Sequence, residues 1–116
     1  MARYVKVRAL SVTACEAKAK PQNMDMVDYV IQHLERNLQR VLCDQPDIIV
    51  LPEVCDRPAA LGKAERLAYY RERGDKVQQY LQRVARENRC YIAYPSHSFY
   101  SEDAMVNCCR MIDRQG

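Results

Sequence analysis

The sequence predicts an α/β fold, and three features carry that expectation. Asp47-Ile48-Ile49-Val50-Leu51-Pro52-Glu53 sets four consecutive aliphatic residues before a proline and a lone carboxylate. Such a run reads as a strand buried on both faces, as in a parallel sheet covered by helices. Upstream, Val27, Ile31, Leu34, Leu38 and Val41 recur at three- and four-residue steps, which makes one apolar helical stripe. Earlier still, Val5 to Thr13 alternates with Val5, Val7, Ala9 and Ser11 on one side and Lys6, Arg8, Leu10 and Val12 on the other. The order is therefore strand, helix, strand: a βαβ unit with a right-handed crossover.

The first helix is expected to open at Pro21-Gln22-Asn23 and to stop by Gln45, because Pro46 disfavours α geometry in the residue before it. Val54 to Gly74 reads as a long irregular stretch, with a helical turn or two between Leu61 and Arg73, where the apolar pattern is weak. Asp75 suits an N-cap, with Gln78 three residues on to complete a capping box. Val77, Leu81, Val84 and Ala85 line the inner face of the next helix, and Asn88 suits its end. Cys90 to Tyr94 is a third strand and Met105 to Ile112 a fourth, joined by a polar loop from Pro95 to Asp103.

A length of 116 residues suits one small domain with a core, not two. No apolar run approaches the roughly 18 residues that span a bilayer, so no membrane association is expected. Met1 to Lys6 lacks a hydrophobic signal core, which makes the cytoplasm the expected compartment. In that compartment Cys15, Cys43, Cys55, Cys90, Cys108 and Cys109 read as reduced packing residues rather than disulfides. There is no CxxC pair, and neither His33 nor His97 stands at zinc-ligand spacing from the cysteines, so neither metal nor cofactor is expected. The net charge of +3 is uneven: residues 57–90 carry nine Lys and Arg against four Asp and Glu. Those arginines alternate with Glu and Gln, the pattern of a solvated helix face rather than of a nucleic-acid interface. Gly62, Gly74 and Gly116 have no phosphate-loop spacing.

Glu53 is the candidate site residue. Pro52 cannot donate to a sheet ladder, so pairing ends there and the acid falls at the carboxyl end of a central strand. Open α/β sheets place ligand crevices at that end. Poor hydration there would raise the carboxyl pKa toward the range useful for proton transfer. The plainer reading is a solvated or salt-bridged acid near Arg57.

Three segments resemble the amino-terminal part of the carbon–nitrogen hydrolase (nitrilase) superfamily: "PDIIVLPE", "LQRVARENRCYIAYPS" and "NCCRMIDRQG". With the helix that precedes the first of them, their order and spacing cover about the whole chain. The resemblance implies the first part of a four-layer αββα sandwich and hydrolysis of a non-peptide C–N bond in an amide, nitrile or N-carbamoyl substrate. The family uses a Glu, a Lys and a Cys: thiolate attacks, the acid moves protons and the cation steadies the developing charge. Glu53 matches the Glu. The family's Lys follows the turn matching Asp113-Arg114-Gln115-Gly116, and its Cys comes later, so residues 1–116 are expected to be a domain truncated before both. Cys55 lies outside the nucleophile's context and reads as structural. On this resemblance the chain alone is inactive, and homo-oligomerisation or pairing with a full-length relative is expected. The alternative is a non-catalytic α/β assembly or regulatory module.

Overall fold

The structure, a computed structural model, describes residues 4–116. Its elements are β1 (Val7–Ala9), α1 (Met26–Leu42), β2 (Ile48–Val50), α2 (Lys63–Arg73), α3 (Lys76–Asn88), β3 (Tyr91–Phe99) and β4 (Met105–Ile112). The four strands form one sheet in the order β1-β2-β3-β4, with β1, β2 and β3 parallel and β4 antiparallel to β3. Ile48 stands between Val7 and Tyr91 and Val50 between Ala9 and Ala93, so the aliphatic run is central, as expected.

The stripe on α1 is the core it promised. Val27, Leu34 and Leu38 are fully buried, joined by Val30, which the three-and-four spacing omits. The helix begins later than Pro21, after Asp25 in extended conformation. On α3, Val77, Leu81, Val84 and Ala85 are buried with Tyr80. Asp75 precedes α3 but makes no capping bond; it accepts from Gln79 Nε2 at 3.1 Å instead. The helix ends because Arg89, not Asn88, turns left-handed (φ 52°), which lets Cys90 N–H reach Ala85 O at 3.1 Å. α1 packs on α2 and α3, and α3 lies against β3 and β4.

Two expectations change. Residues 63–73 form a full helix whose buried residues are Tyr69, Tyr70 and Arg73, a mixed face that an apolar count does not detect. Strand β3 runs on through Pro95 to Phe99, so most of the expected loop is strand. Beyond Ala93 the β2 ladder has run out, and β3 is paired only with β4, which is where a strand tolerates proline.

The third correction concerns the faces of the sheet. Ile49, Ile92 and Ile112 turn toward the helices and are buried, whereas Val7, Val50 and Met111 on the other face are 48%, 38% and 61% exposed. The aliphatic run is therefore covered on one face only. That open face, continued by Ile48, Tyr91, Pro95 and Cys109, is apolar across all four strands. After β4, Asp113 to Gly116 makes the expected turn, closed by Gly116 N–H to Asp113 O at 3.1 Å. Gly116 has φ of +100°, and a Cβ there would lie 3.0 Å from Gln82 O, so both conformation and space favour glycine.

Candidate active site

The segment between β2 and α2 hangs from the carboxyl end of the parallel strands and is tied at both ends. Leu51 N–H donates to Ala93 O at 3.0 Å, and Ala59 N–H donates to Cys15 O at 2.8 Å. Within it, Val54 has φ of 63°, a conformation that costs a β-branched residue energy and is kept only where its surroundings enforce it.

What enforces it is a buried polar cluster around Asp56. Its side chain is 0% exposed and accepts on Oδ2 from Arg73 Nη1 at 2.7 Å, from Ser96 Oγ at 3.0 Å and from the Tyr94 hydroxyl. Arg73, only 4% exposed, spends its remaining donors on Ser96 Oγ (3.2 Å), His97 O (2.6 Å) and Gly74 O (3.1 Å). The Tyr69 hydroxyl donates to the Asp56 carbonyl at 2.5 Å. Burial first, and the Asp56 charge second, push the Tyr69 and Tyr94 phenols far above their ordinary range, so both stay protonated donors. Asp56 Oδ1 is buried without a partner, an uncompensated cost. None of Asp56, Arg73, Ser96 or Tyr69 is singled out by local sequence pattern, because the partners of Asp56 lie 17, 38 and 40 residues away.

Glu53 stands three residues after β2, at the strand end the sequence predicts, but it is exposed rather than nearly dry. Nor is it salt-bridged to Arg57: the ion pairs among the described residues are Arg8–Asp44, Arg73–Asp56 and Arg114–Asp47. It borders an open cleft of about 360 Å³ shared with Arg57, Lys63, Arg66, Tyr70 and His97. His97 is a half-buried residue of β3, not an exposed loop residue; its ring stacks on Tyr70 at 5.6 Å, with Nδ1 3.4 Å from the hydroxyl. Tyr94 is wholly buried in the Asp56 cluster. Asn107 is exposed, and it pairs with His97 across the β3–β4 ladder.

The thiols divide by burial. Cys15, Cys55 and Cys90 are buried, Cys108 is half-buried, and Cys43 and Cys109 are exposed. Burial, reinforced by the neighbouring Asp56 charge, pushes Cys55 up to about 12, so at neutral pH it is a thiol and not a nucleophile. All six are free.

Comparison of the sequence with family models and with curated proteins finds no match. Solved structures do match. An amidase from Nesterenkonia sp. superposes with a TM-score of 0.71 at 11% identity, over 96% of this chain and 39% of that one. An N-terminal amidase with a Gln-Gly peptide gives 0.70 at 18%, over 96% and 25%. A glutamine-dependent NAD(+) synthetase from Cytophaga hutchinsonii gives 0.62 at 11%, over 96% and 17%. The fold is similar to that of nitrilase-type amidases. The likeness at these identities is one of fold, and the chain spans 39% or less of these three proteins. Among the described residues no helix is long and apolar enough to cross a membrane.

Proposed function

We propose that these 116 residues are the amino-terminal part of a carbon–nitrogen hydrolase acting on an amide, nitrile or N-carbamoyl substrate, with Glu53 as its general base and then acid. The observation that carries this reading is the placement of Glu53 at the carboxyl end of a central parallel strand, on an amidase-like fold, at the edge of a cleft. In this mechanism Glu53 takes the proton of an attacking thiol and later delivers it to the departing amine. The thiol and the charge-stabilising Lys come from sequence outside these residues; Cys55 is too strongly protonated to serve. One neighbour of the same fold has an active site cysteine to which acrylamide adds, in a mutant that replaces a glutamate by glutamine.

The reading also accounts for the open apolar face and for the exposure of Glu53. In an αββα sandwich a second sheet covers the first, and the same layer would shield the mouth of the cleft from water. The open face equally favours a second reading, a non-catalytic module that pairs with a full-length relative; size-exclusion chromatography with and without such a relative tests it.

The decisive experiment is to read the transcript beyond the codon for Gly116, express any continued polypeptide and assay it on simple amides, nitriles and N-carbamoyl compounds. A Lys soon after a return strand and a later Cys are expected, and Glu53→Gln is expected to lower kcat by about 10²–10⁴-fold. Undiminished turnover by the Gln variant would sink the assignment, whereas turnover by the 116-residue chain alone that Glu53→Gln abolishes would overturn the expectation that this chain is inactive by itself.

A further inference from the structure

The face of the sheet turned away from the helices has a pattern of its own. Partners across the ladders point the same way, so Ala9, Val50, Ala93 and Met111 form one row across β1, β2, β3 and β4. The row runs small, large, small, large. On one side of it lie Val7, Ile48 and Tyr91, and on the other Pro95 and Cys109. Among the described residues of the four strands no Lys, Arg, Asp or Glu stands on this face; its polar side chains, His97 and Asn107, are partners at one end. Charge appears at the amino end of the parallel strands, where Arg114 stacks on the Tyr91 ring at 5.2 Å and pairs with Asp47 at 3.2 Å. An uncharged apolar centre with a polar rim is the anatomy of a protein interface.

With strands about 4.8 Å apart and a rise of about 3.3 Å per residue, four strands by about five residues make a patch about 19 Å by 17 Å. Monomers seldom expose contiguous apolar patches beyond a few hundred Å². No helix offers a competing surface, since the apolar stripes of α1 and α3 are buried in the core. The partner must present a flat, uncharged, apolar face, and this chain carries one. We propose that two copies of this chain associate through this face, related by a two-fold axis parallel to the strands. Such an axis lays β1 of one copy over β4 of the other, and β2 over β3. Ala9 then meets Met111 and Val50 meets Ala93, and the reciprocal contacts follow by symmetry. Each large side chain of the row falls on a small one, so the face is complementary to itself. A two-fold axis along the row would instead set Val50 on Val50 and Met111 on Met111. The second copy takes the place that a second sheet holds in a sandwich, and the pairing does not depend on the amidase reading.

Sedimentation equilibrium of the 116-residue chain, from low micromolar to near-millimolar concentration, tests the pairing. A monomer–dimer equilibrium is expected, weakened at least about tenfold by Met111→Lys, which buries an uncompensated charge at each end of the row. Val50→Ala leaves Ala against Ala at two contacts, and Ala93→Val crowds Val against Val at the same two. Either variant alone is expected to self-associate about tenfold more weakly, from the methyl groups lost or crowded at both contacts. Mixed together, the two variants are expected to pair with each other about as tightly as the unaltered chain, because both contacts then set Val against Ala. Native mass spectrometry, with one variant labelled with heavy nitrogen, counts the mixed dimers. A further readout needs no variant to fold: diluting the unaltered chain is expected to shift the NMR methyl signals of Val7, Val50 and Met111 and to leave those of Leu34 and Leu81, buried on the helix side, in place. A chain that stays monomeric at near-millimolar concentration, a dimer that tolerates Met111→Lys, mixed variants that pair no better than either alone, or shifts centred on the helices would each overturn the proposal.

Discussion

Replacing Asp56 by Asn should be among the most damaging conservative changes available to this chain. The carboxylate is fully buried, and its Oδ2 collects Arg73, Ser96 and Tyr94. The Asn amide keeps the volume and one oxygen acceptor but leaves the Arg73 guanidinium buried without its counter-charge. Stranding one partner of a buried pair costs about 3–5 kcal/mol. Small domains hold about 5–15 kcal/mol in total, so the loss takes a large share of it. Urea unfolding followed by circular dichroism reads the change: with a slope of about 1–3 kcal/mol per molar, the midpoint should fall by about 2 M. Arg73→Leu added to Asp56→Asn removes the stranded charge and should recover part of the loss. Recovery will be incomplete, because the carbonyls of His97 and Gly74 lose the donors that Arg73 supplies. A cost below about 1 kcal/mol for Asp56→Asn, or a double variant no better than the sum of its singles, would show that this cluster does not hold the loop.

Stability should decline as pH rises above about 9: the unfolded chain ionises its thiols near 9.0 while Cys55 in the fold holds its proton to about 12, so the unfolded state binds fewer protons across that window. Each such group contributes about 1.4 kcal/mol per pH unit, and Cys55→Ala should make the slope of midpoint against pH visibly shallower; an unchanged slope refutes the assignment. Arg89→Gly should stabilise the chain by about 0.5–1 kcal/mol, since Arg89 is an exposed residue held left-handed at the end of α3, and a lowered urea midpoint would contradict that account of the helix end.

What could be read in the sequence was whatever rests on local repetition. The stripes on α1 and α3 and the aliphatic run of β2 repeat at the period of the element they build, and each element appears where its stripe lies. α2 was hidden because its inner face is Tyr69, Tyr70 and Arg73: an arginine counts as solvent-facing until a buried Asp56 is known to wait for it. The exposure of the sheet's second face was equally out of reach, since an apolar run records what a strand prefers to touch and not whether anything touches it. The position of Glu53 followed from Pro52, but its hydration and the cations of Lys63 and Arg66 depend on how α2 folds back over the loop.

The Asp56 cluster also sets an order of events in folding. Its members are drawn from the β2–α2 loop, the end of α2 and the middle of β3, so it cannot close until β3 has docked and α2 has formed. Nucleating a turn is quick, whereas joining segments 40 residues apart waits on a wide search. The cluster therefore closes only once β3 and α2 are in place, and a chain arrested short of that state would leave the β2–α2 loop without its tie at Asp56.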